Sequence, residues 1–497
     1  MTTIAQDTPT GKATLPPGPR PMPYIGNLLS LRSDPLGYMQ QLQRRYGNMA
    51  TIHMGRTPLV VLFRPEYVRY ALIEHPRTFS NEGMGPQRND ESVANEGLLT
   101  IDGEQHRQQR RAVQPAFHKK QVEGYASTIE QYTQELLQSW HTGDTLDMSS
   151  AMQALTLRIV SKCLFSLDLS NQLSALGDNF NAMLGNSTST AEDLLNIHID
   201  NTVTGYGKRL AATRQLDRII YTLIAQRREN NHEQNDMLSM LITAPSGATP
   251  ETNLTDKQIR DHMLTFLAAG HETTAISLTW TFYLLSKYPQ VREKLQDELR
   301  SVLAGRTPTM DDLTKLPYLE WVLNESMRLY PPAWMQARFV VQDFELDGVH
   351  IPAGTMIMLS QWVIHRLPEF WDEPETFRPE RWDPDHSETI TPGAYFPFGG
   401  GPRMCIGMPF AQLEAKMVLA LILQRYTPQA VPGYNPGLKP TITLRPKHNL
   451  RTTLLPADLN STSAQWKQLI SVPEATLTSN EERNGCLGAM LRLFGLL

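Results

Sequence analysis

The stretch YFPFGGGPRMCIG, residues 395–407, is the most informative part of this sequence. It leads directly into Met408–Tyr426, where apolar residues recur at helical spacing. A lone cysteine such as Cys405 is often only a small buried hydrophobe, but that explanation leaves three successive glycines and Arg403 without a role. Backbone N–H groups and the dipole at a helix N-terminus favour a thiolate. The glycines permit a tight loop around a bulky planar ligand, and Arg403 is suited to a carboxylate on that ligand.

The composition excludes several classes of protein. The chain has 497 residues, with 46 Lys+Arg against 51 Asp+Glu and a formal net charge of −5. This balance is not typical of a nucleic-acid-binding protein. The 3 cysteines are too few for a disulfide framework or a cysteine-only zinc site. A chain of this length can bury a core large enough to enclose a cofactor.

No segment predicts a signal peptide or a transmembrane helix. Residues 1–20 are rich in Thr and Pro and contain no apolar stretch of the signal-peptide kind. The longest apolar helical segment, Met263–Tyr288, is interrupted by Gly270, His271 and Glu272. What remains is shorter than the ~18 uncharged residues that a membrane span needs. We therefore expect a soluble, cytoplasmic protein without a membrane anchor.

Hydrophobic periodicity predicts a mainly α protein with a small antiparallel β region, an α+β fold class. The clearest predicted helices are Gly103–Phe117, Gln121–Trp140, Ala151–Phe165, Leu210–Arg228, Thr255–Tyr288, Val291–Leu303 and Tyr318–Tyr330. Two β-rich runs, Met49–Met54 and Leu59–Phe63, flank a turn and predict a hairpin. A second hairpin is predicted within Val349–Leu359, around its Pro-Ala-Gly sequence.

The remaining segments suggest the domain organisation. We expect residues 1–14 to be a flexible lead, 15–456 to be one large domain, and 457–497 to be a C-terminal extension. That extension is either weakly structured or an amphipathic helix. The polar stretches Asn81–Gly97 and Asn186–Gly207 lack periodicity. Long segments of this kind are lids, binding loops or plain surface loops, and the sequence leaves these alternatives open.

The spacing of Phe398, Gly401, Arg403, Cys405 and Gly407 resembles the haem-binding loop of the cytochrome P-450 superfamily. The resemblance extends over residues 15–456. It implies the cytochrome P-450 fold around a buried haem b, with Cys405 as the thiolate ligand of the iron and Phe398, Arg403 and Gly407 at the cofactor. A thiolate ligand favours cleavage of the O–O bond. Residues 266–269 contain no acid for covalent attachment, so we expect non-covalent haem.

A second motif is the pair Glu325 and Arg328, which lie one turn apart on the predicted helix Tyr318–Tyr330. Such pairs are usually solvated surface ion pairs of little energetic weight. The resemblance implies instead that this pair is buried and bound to Arg381 of the sequence Pro-Glu-Arg-Trp. The three charges would then fix the core behind the haem.

A third motif, AGHETT at residues 269–274, resembles the family's oxygen-activation motif on its long central helix. A glycine inside a helix costs about 1 kcal/mol relative to alanine, so Gly270 needs a reason. We expect a local widening that admits O2 and water, and the alternative is an incidental polar notch. The resemblance implies that Thr273 hydrogen-bonds dioxygen and that Glu272 relays protons.

The carboxylates of a haem need cationic partners, because buried unpaired charges are costly. Residues 103–111 resemble the family's propionate-binding helix, with Arg110 as one cation. His106 stands where the family usually has Trp and can still donate a hydrogen bond. Arg338 and Arg403 are the other candidates for these carboxylates.

The resemblance implies a monooxygenase, an oxidoreductase that inserts one atom of O2 into a small apolar molecule. Hydroxylation or epoxidation of a fatty acid, a terpene or a steroid-like lipid would fit, since the segments expected to form the pocket mix Leu, Met and Trp with few charges. These segments are Asn81–Leu99, Leu184–Tyr206, Ala268–Thr274 and Pro332–Met335. The residues expected to contact the substrate are Ala269, Thr274, Ala333 and Trp334.

Electrons must come from a separate protein, because the sequence contains no flavin or iron–sulfur motif. An acidic ferredoxin or a flavodoxin with its reductase is the expected donor, and the expected state is a monomer without a nucleic-acid partner. A basic cluster would either dock that donor or form a solvated charged face. Its members are Arg107, Arg110, Arg111, His118, Lys119 and Lys120.

Two other functions share the cysteine loop. A haem-thiolate peroxygenase, isomerase or dehydratase needs no redox partner but often lacks the acid–threonine pair. A non-enzymatic haem sensor or carrier has little use for such a pair. Glu272 and Thr273 therefore favour the monooxygenase over both.

Overall fold

The computed structural model describes residues 15–81, 96–168, 205–229, 234–244, 253–385 and 390–457. The predicted flexible lead and almost all of the predicted C-terminal extension lie outside these ranges, and so do most of the two polar stretches Asn81–Gly97 and Asn186–Gly207. The described residues form mainly helices together with small, mostly antiparallel sheets. The predicted fold class is confirmed.

Helices make up most of the described structure. They are α1 (Leu28–Ser33), α2 (Pro35–Tyr46), α3 (Pro65–Arg69), α4 (Gly103–Val113), α5 (Lys119–Gly124), α6 (Ala126–Gln138), α7 (Met148–Phe165), α8 (Gly205–Glu229), α9 (Met237–Thr243), α10 (Asp256–Lys287), α11 (Pro289–Leu303), α12 (Met310–Leu313), α13 (Pro317–Leu329), α14 (Gln361–Ile364) and α15 (Met408–Arg425). The predicted helix Gln121–Trp140 is divided into α5 and α6. The break falls directly after Gly124, because glycine weakens a helix interior.

The long central helix is α10. It begins with a capping box, in which Thr255 and Gln258 each accept a hydrogen bond from the other's backbone N–H. The helix is a continuous α-helix through Gly270, so the predicted local widening is not present. A Cβ atom at Gly270 would lie 2.7 Å from Cγ2 of Val160 on α7. Close packing of α10 on α7 is therefore the reason for the glycine.

The strands form four small sheets among the described residues. The strands are β1 (Met49–Met54), β2 (Thr57–Leu62), β3 (Phe79–Ser80), β4 (Thr145–Asp147), β5 (Gln336–Val340), β6 (Phe344–Leu346), β7 (Val349–Ile351), β8 (Met356–Leu359), β9 (Tyr426–Ala430), β10 (Leu438–Pro440), β11 (Leu444–Pro446) and β12 (Arg451–Pro456). Their orders are β1-β2-β8-β5-β3, β4-β12-β9, β6-β7 and β10-β11. The predicted hairpin of β1 and β2 is confirmed, with Met49 opposite Leu62.

The second predicted hairpin is wrong, because β7 and β8 belong to different sheets. Strand β7 pairs with β6, whereas β8 lies between β5, antiparallel, and β2, parallel. Pro352 has no N–H with which to continue a ladder. Gly354 has φ +84° and donates its N–H to the carbonyl of Val340 in β5. The chain therefore changes sheets at this turn.

Two apolar cores meet at the cysteine loop. The larger is formed chiefly by helices and includes Phe410 and Leu413 of α15. The smaller lies against the five-stranded sheet and includes Leu72, which belongs to the π-helix Tyr70–Glu74. Because residues 395–407 precede α15 and also pack on Leu72, the loop is held by both cores.

Candidate active site

The cysteine loop is a compact turn that holds Cys405 immediately before α15. The N–H of Cys405 donates to the carbonyl of Phe398 at 2.9 Å, and the N–H of Met404 donates to that of Gly401 at 3.0 Å. Gly401 has φ +61°, and a Cβ atom there would lie 1.8 Å from the carbonyl oxygen of Leu72. Glycine is therefore required at this position both by conformation and by space.

The Cys405 side chain has accessible surface although protein surrounds it on most sides. Burial raises the pKa of the thiol, while the backbone N–H groups of Gly407 and Met408 and the Arg110 guanidinium act in the opposite direction. Backbone donors around a sulfur are the arrangement expected at a thiolate metal ligand. The Cys405 sulfur is thus held by backbone N–H groups on the protein side and is accessible on its remaining side.

Positive charge is concentrated beside this loop. Arg110 and His106 belong to α4, Arg338 belongs to β5, and Arg403 belongs to the loop itself. Burial, followed by the charges of Arg403 and Arg110, lowers the pKa of His106 to about 4, so the imidazole is neutral. Burial, followed by the charge of Arg403, also lowers the pKa of Arg338 to about 10. The cations therefore repel one another in a partly desolvated region.

One carboxylate lies among these cations. Asp102, the N-cap of α4, forms an ion pair with Arg403. Burial acts to raise the pKa of Asp102, but hydrogen bonds from Ser80, the N–H of Gly103 and Arg403 hold it below the usual range. Asp102 was not among the candidate residues, although an Asp directly before a predicted helix is a recognised capping signal.

Arg338, like Arg110, forms no ion pair with a carboxylate of the described residues. It donates to the carbonyl of Ala337 at 2.7 Å and to Oε1 of Gln336 at 3.3 Å. A partly buried cation of this kind is costly unless an anion accompanies it. The sulfur and the excess positive charge fit a ligand that has both a metal and carboxylates, which haem is.

The charges behind the loop form a closed cluster. Glu325 and Arg328 of α13 are both fully buried, and Arg328 donates to the two carboxylate oxygens at 2.8 and 2.9 Å. Arg381 donates to the same carboxylate at 2.8 Å, and the indole of Trp382 and the N–H of Arg378 donate at 3.0 Å each. Burial acts to raise the pKa of Glu325, but these partners, led by Arg328, lower it. The carboxylate is therefore charged and satisfied.

Glu272 and Thr273 are neighbours on α10 but have separate partners. The Thr273 hydroxyl, which is half-buried, donates to the carbonyl of Ala269 at 2.6 Å. Glu272 is buried, accepts a hydrogen bond from Thr443 and forms an ion pair with Arg445 of β11. No signal in the sequence connected Arg445 with Glu272, because the two lie 173 residues apart and share no motif.

The residues predicted to contact the substrate divide into two groups. Ala269 and Ala333 have accessible surface. Trp334 is only 3% exposed, and its indole N–H donates to the carbonyl of Thr441 at 2.8 Å. Thr274 is also 3% exposed and interacts with Glu414 of α15. Both side chains are thus largely covered by protein, and contact of Trp334 and Thr274 with a substrate stays a prediction.

Comparison with known proteins agrees with this geometry. The model of the cytochrome P450 family matches residues 16–452. The chain belongs to that family. This P450 is 34% identical to the cyclooctat-9-en-7-ol 5-monooxygenase of Streptomyces melanosporofaciens, over 84% of this chain and 90% of the relative. It is 32% identical to the pentalenene oxygenase of Streptomyces avermitilis, over 82% of this chain and 90% of the relative.

A solved structure shows the same fold. Retinoic acid bound cyanobacterial CYP120A1 matches with a TM-score of 0.80 and 26% sequence identity, over 90% of this chain and 100% of the other. The protein is thus a P450 monooxygenase, an oxidoreductase that uses haem with a cysteine ligand. The predictions of enzyme class and cofactor are confirmed. Within the described residues, no helix combines the length and apolarity needed to span a membrane.

Proposed function

We propose that this P450 oxygenates a terpene-like substrate. The named relatives are a cyclooctat-9-en-7-ol monooxygenase and a pentalenene oxygenase, and both names denote terpenoid hydrocarbon frameworks or their alcohols. On the central helix, Ala269, whose carbonyl accepts the hydrogen bond from Thr273, is small, apolar and accessible. An apolar guest suits a site with few charged side chains. The geometry that carries the proposed oxygenase chemistry is the accessible sulfur of Cys405, which lies in a loop with backbone N–H donors.

In this proposal Cys405 is the haem ligand, and the cofactor supplies the activation of O2. Arg338 and Arg110 hold the haem carboxylates, with neutral His106 donating a hydrogen bond beside them and Arg403 shared with Asp102. Phe398, Gly407 and the other loop residues enclose the sulfur side. The Phe-Leu-Ala-Ala sequence of residues 266–269 offers no carboxylate, which supports non-covalent binding.

The protons needed for O2 activation are proposed to reach the site by way of two side chains of α10, Glu272 and Thr273. The Thr273 hydroxyl is held by the Ala269 carbonyl, which leaves its oxygen lone pairs to accept from water and positions it on the accessible side of the helix. Glu272 is held as a carboxylate by Arg445 and Thr443. When that ion pair opens, it would take up a proton from water and pass it toward Thr273. In this proposal the two side chains have separate roles. Glu272 supplies the protons, and Thr273 positions the water that carries them.

Electrons are proposed to come from an acidic ferredoxin or flavodoxin-type protein. Arg107, Arg111 and the segment 118–120 of the basic cluster are exposed. Arg110 is half-buried and donates to the carbonyl of Met404 at 2.8 Å, so it belongs to the haem side. The exposed members suit electrostatic docking. A cytoplasmic, monomeric enzyme is part of the same proposal.

The deciding experiment compares two cysteine variants by carbon monoxide difference spectroscopy of the reduced protein. Cys405→Ser should lose the strongly red-shifted Soret band of a thiolate ligand, while Cys163→Ser, at a buried position on α7, should retain it. An unchanged band in Cys405→Ser would contradict the ligand assignment.

Turnover then tests the reaction and its rivals. With a surrogate ferredoxin, its reductase and NADPH, the enzyme should oxygenate members of a terpene library and incorporate one atom of labelled O2. Product formed without electrons would favour an isomerase, and product formed only when peroxide replaces the electron donors would favour a peroxygenase. No product from any member would contradict the substrate class.

A further inference from the structure

An apolar turn projects from the N-terminal part of the molecule, far along the chain from the cysteine loop. Met22 and Gly26 close the turn with two reciprocal backbone hydrogen bonds of 3.0 Å. Tyr24 at its tip is 84% exposed, and Met22 and Leu29 are each 52% exposed. Tyr24 also has φ +65°, a left-handed conformation that non-glycine residues rarely adopt. The fold thus holds a large aromatic side chain outward at some cost.

A small cavity of about 190 Å³ lies directly beside this turn. Its lining includes Met22 and Leu29 on the apolar side and Arg20 and Arg45 on the basic side. Tyr38 also lines it, and the buried hydroxyl of Tyr38 has no hydrogen-bond partner among the described residues. An apolar rim therefore adjoins a recess with cations and an unsatisfied hydroxyl.

The local charge is opposite to that of the whole chain. Residues 15–48 contain four arginines and one acidic residue, Asp34, although the protein as a whole has a net charge of −5. Arg44 and Arg45 are exposed near the end of α2, and Arg20 is exposed beside the apolar turn. None of these three forms an ion pair with a carboxylate in the described part of the chain. Their charge is therefore available to an external anion.

We propose that this N-terminal surface, made of Arg20, Met22, Tyr24, Leu29 and Arg45, binds the surface of an anionic phospholipid bilayer. Exposed tyrosine and aliphatic side chains partition into the headgroup region, and neighbouring arginines attract anionic lipids. The recess between Arg20 and Arg45 accepts a lipid phosphate. The attachment is peripheral and does not depend on the substrate proposed above.

Co-sedimentation of the haem-loaded, full-length protein with lipid vesicles tests the proposal. We expect binding to vesicles of phosphatidylcholine mixed with phosphatidylglycerol, weaker binding at high salt, and little binding to phosphatidylcholine alone. The triple change Met22→Ser, Tyr24→Ser, Leu29→Ser and the double change Arg20→Glu, Arg45→Glu should each lower the affinity at least about tenfold. Both variants should keep the carbon monoxide spectrum, which verifies folding.

Matched controls alter residues of the same kind elsewhere. Val341→Ser removes another half-exposed apolar side chain, and Arg218→Glu with Lys315→Glu reverses two exposed charges outside this surface. Both controls should bind like the parent protein. The proposal is overturned if the parent ignores anionic vesicles, or if the triple and double variants bind as well as the controls. Loss in the double variant alone would mean binding by charge without the apolar turn, which also contradicts it.

Discussion

Arg338 is the residue whose hydrogen bonding and charge most directly favour binding of an anion. Its two hydrogen bonds, to the Ala337 carbonyl and the Gln336 side chain, satisfy only part of a guanidinium with five N–H donors. Burial lowers its pKa to about 10, so the group remains charged at neutral pH. A haem carboxylate would supply both the negative charge and the further hydrogen-bond acceptors that the Arg338 guanidinium needs.

We therefore predict that Arg338→Leu lowers haem affinity about 10- to 100-fold, since hydrogen bonds between charged groups contribute about 1.5–3 kcal/mol. Haem transfer to an acceptor protein measures the change. Arg64→Leu is the control, because Arg64 pairs with Glu66 and Glu369 away from the cysteine loop. Equal haem retention in Arg338→Leu and the parent would rule out the assigned role.

Thr273 is tested by coupling rather than by binding. Thr273→Ala should lower the product formed per NADPH at least about tenfold and release peroxide, because a positioned proton-transfer group is lost. Thr273→Ser should restore coupling. Thr279→Ala is the matched control. The Thr279 hydroxyl, further along α10, donates the same type of hydrogen bond, to the Ala275 carbonyl at 2.7 Å. Normal coupling in Thr273→Ala would assign the role to another group.

At the scale of elements, the Glu325 cluster connects α13 to the turn that carries Arg381. Arg328 also donates to the carbonyls of His365, Pro374 and Thr376 at 2.7–3.1 Å, so this side chain of α13 is bound to two other segments of backbone. A network this buried and this fully satisfied fixes the relative position of the parts it connects.

Removal of one member leaves a buried charge without its partner. We predict that Arg328→Ala lowers the free energy of unfolding by about 3–5 kcal/mol or prevents haem loading. Arg107→Ala on α4 breaks an exposed pair with Glu104 of the same i,i+3 spacing, and it should cost at most about 1 kcal/mol. Denaturant unfolding of both variants gives the comparison, and equal effects would show that burial adds nothing.

For the whole molecule, buried titratable groups predict the response to acid. Burial lowers the pKa values of His106, His262 and His271 to about 4, and it also lowers that of His365 well below the usual value. The charges that act on them are Arg403 with Arg110, Asp261, the Glu272–Arg445 pair, and Arg328 with Arg366, respectively. Glu414 opposes them, because burial raises its pKa well above the usual value.

The signs follow from proton uptake on unfolding. Between pH 6.5 and pH 5 the unfolded chain protonates the four histidines and the folded protein does not, so stability falls as the pH falls. In this pH range Glu414 is protonated only in the folded state, which offsets one of the four. We predict a loss of about 3 kcal/mol between pH 6 and pH 5. Glu414→Gln should steepen this loss by about 1 kcal/mol, and a flat profile in denaturant unfolding would contradict the prediction.

Local patterns were sufficient for most elements and for the motif residues. Helix periodicity, the Thr255–Gln258 capping box and the turn between β1 and β2 act over a few residues, so the sequence alone placed them correctly. The failed hairpin at Pro352–Gly354 shows the limit. Strand partners are chosen by distant segments, and the apolar pattern of β8 fits β5 and β2 as well as a neighbour.

The sequence by itself determined the family, the helical framework and the residues around Cys405, because spacing in a motif and periodicity in a helix are local properties. Only the tertiary structure decided which side chains are covered and which meet. It placed Trp334 in the sheet core, brought Val160 against Gly270 and joined Glu272 to Arg445. Packing and charge pairing between segments distant along the chain depend on how all elements fill space together, and no local pattern records that.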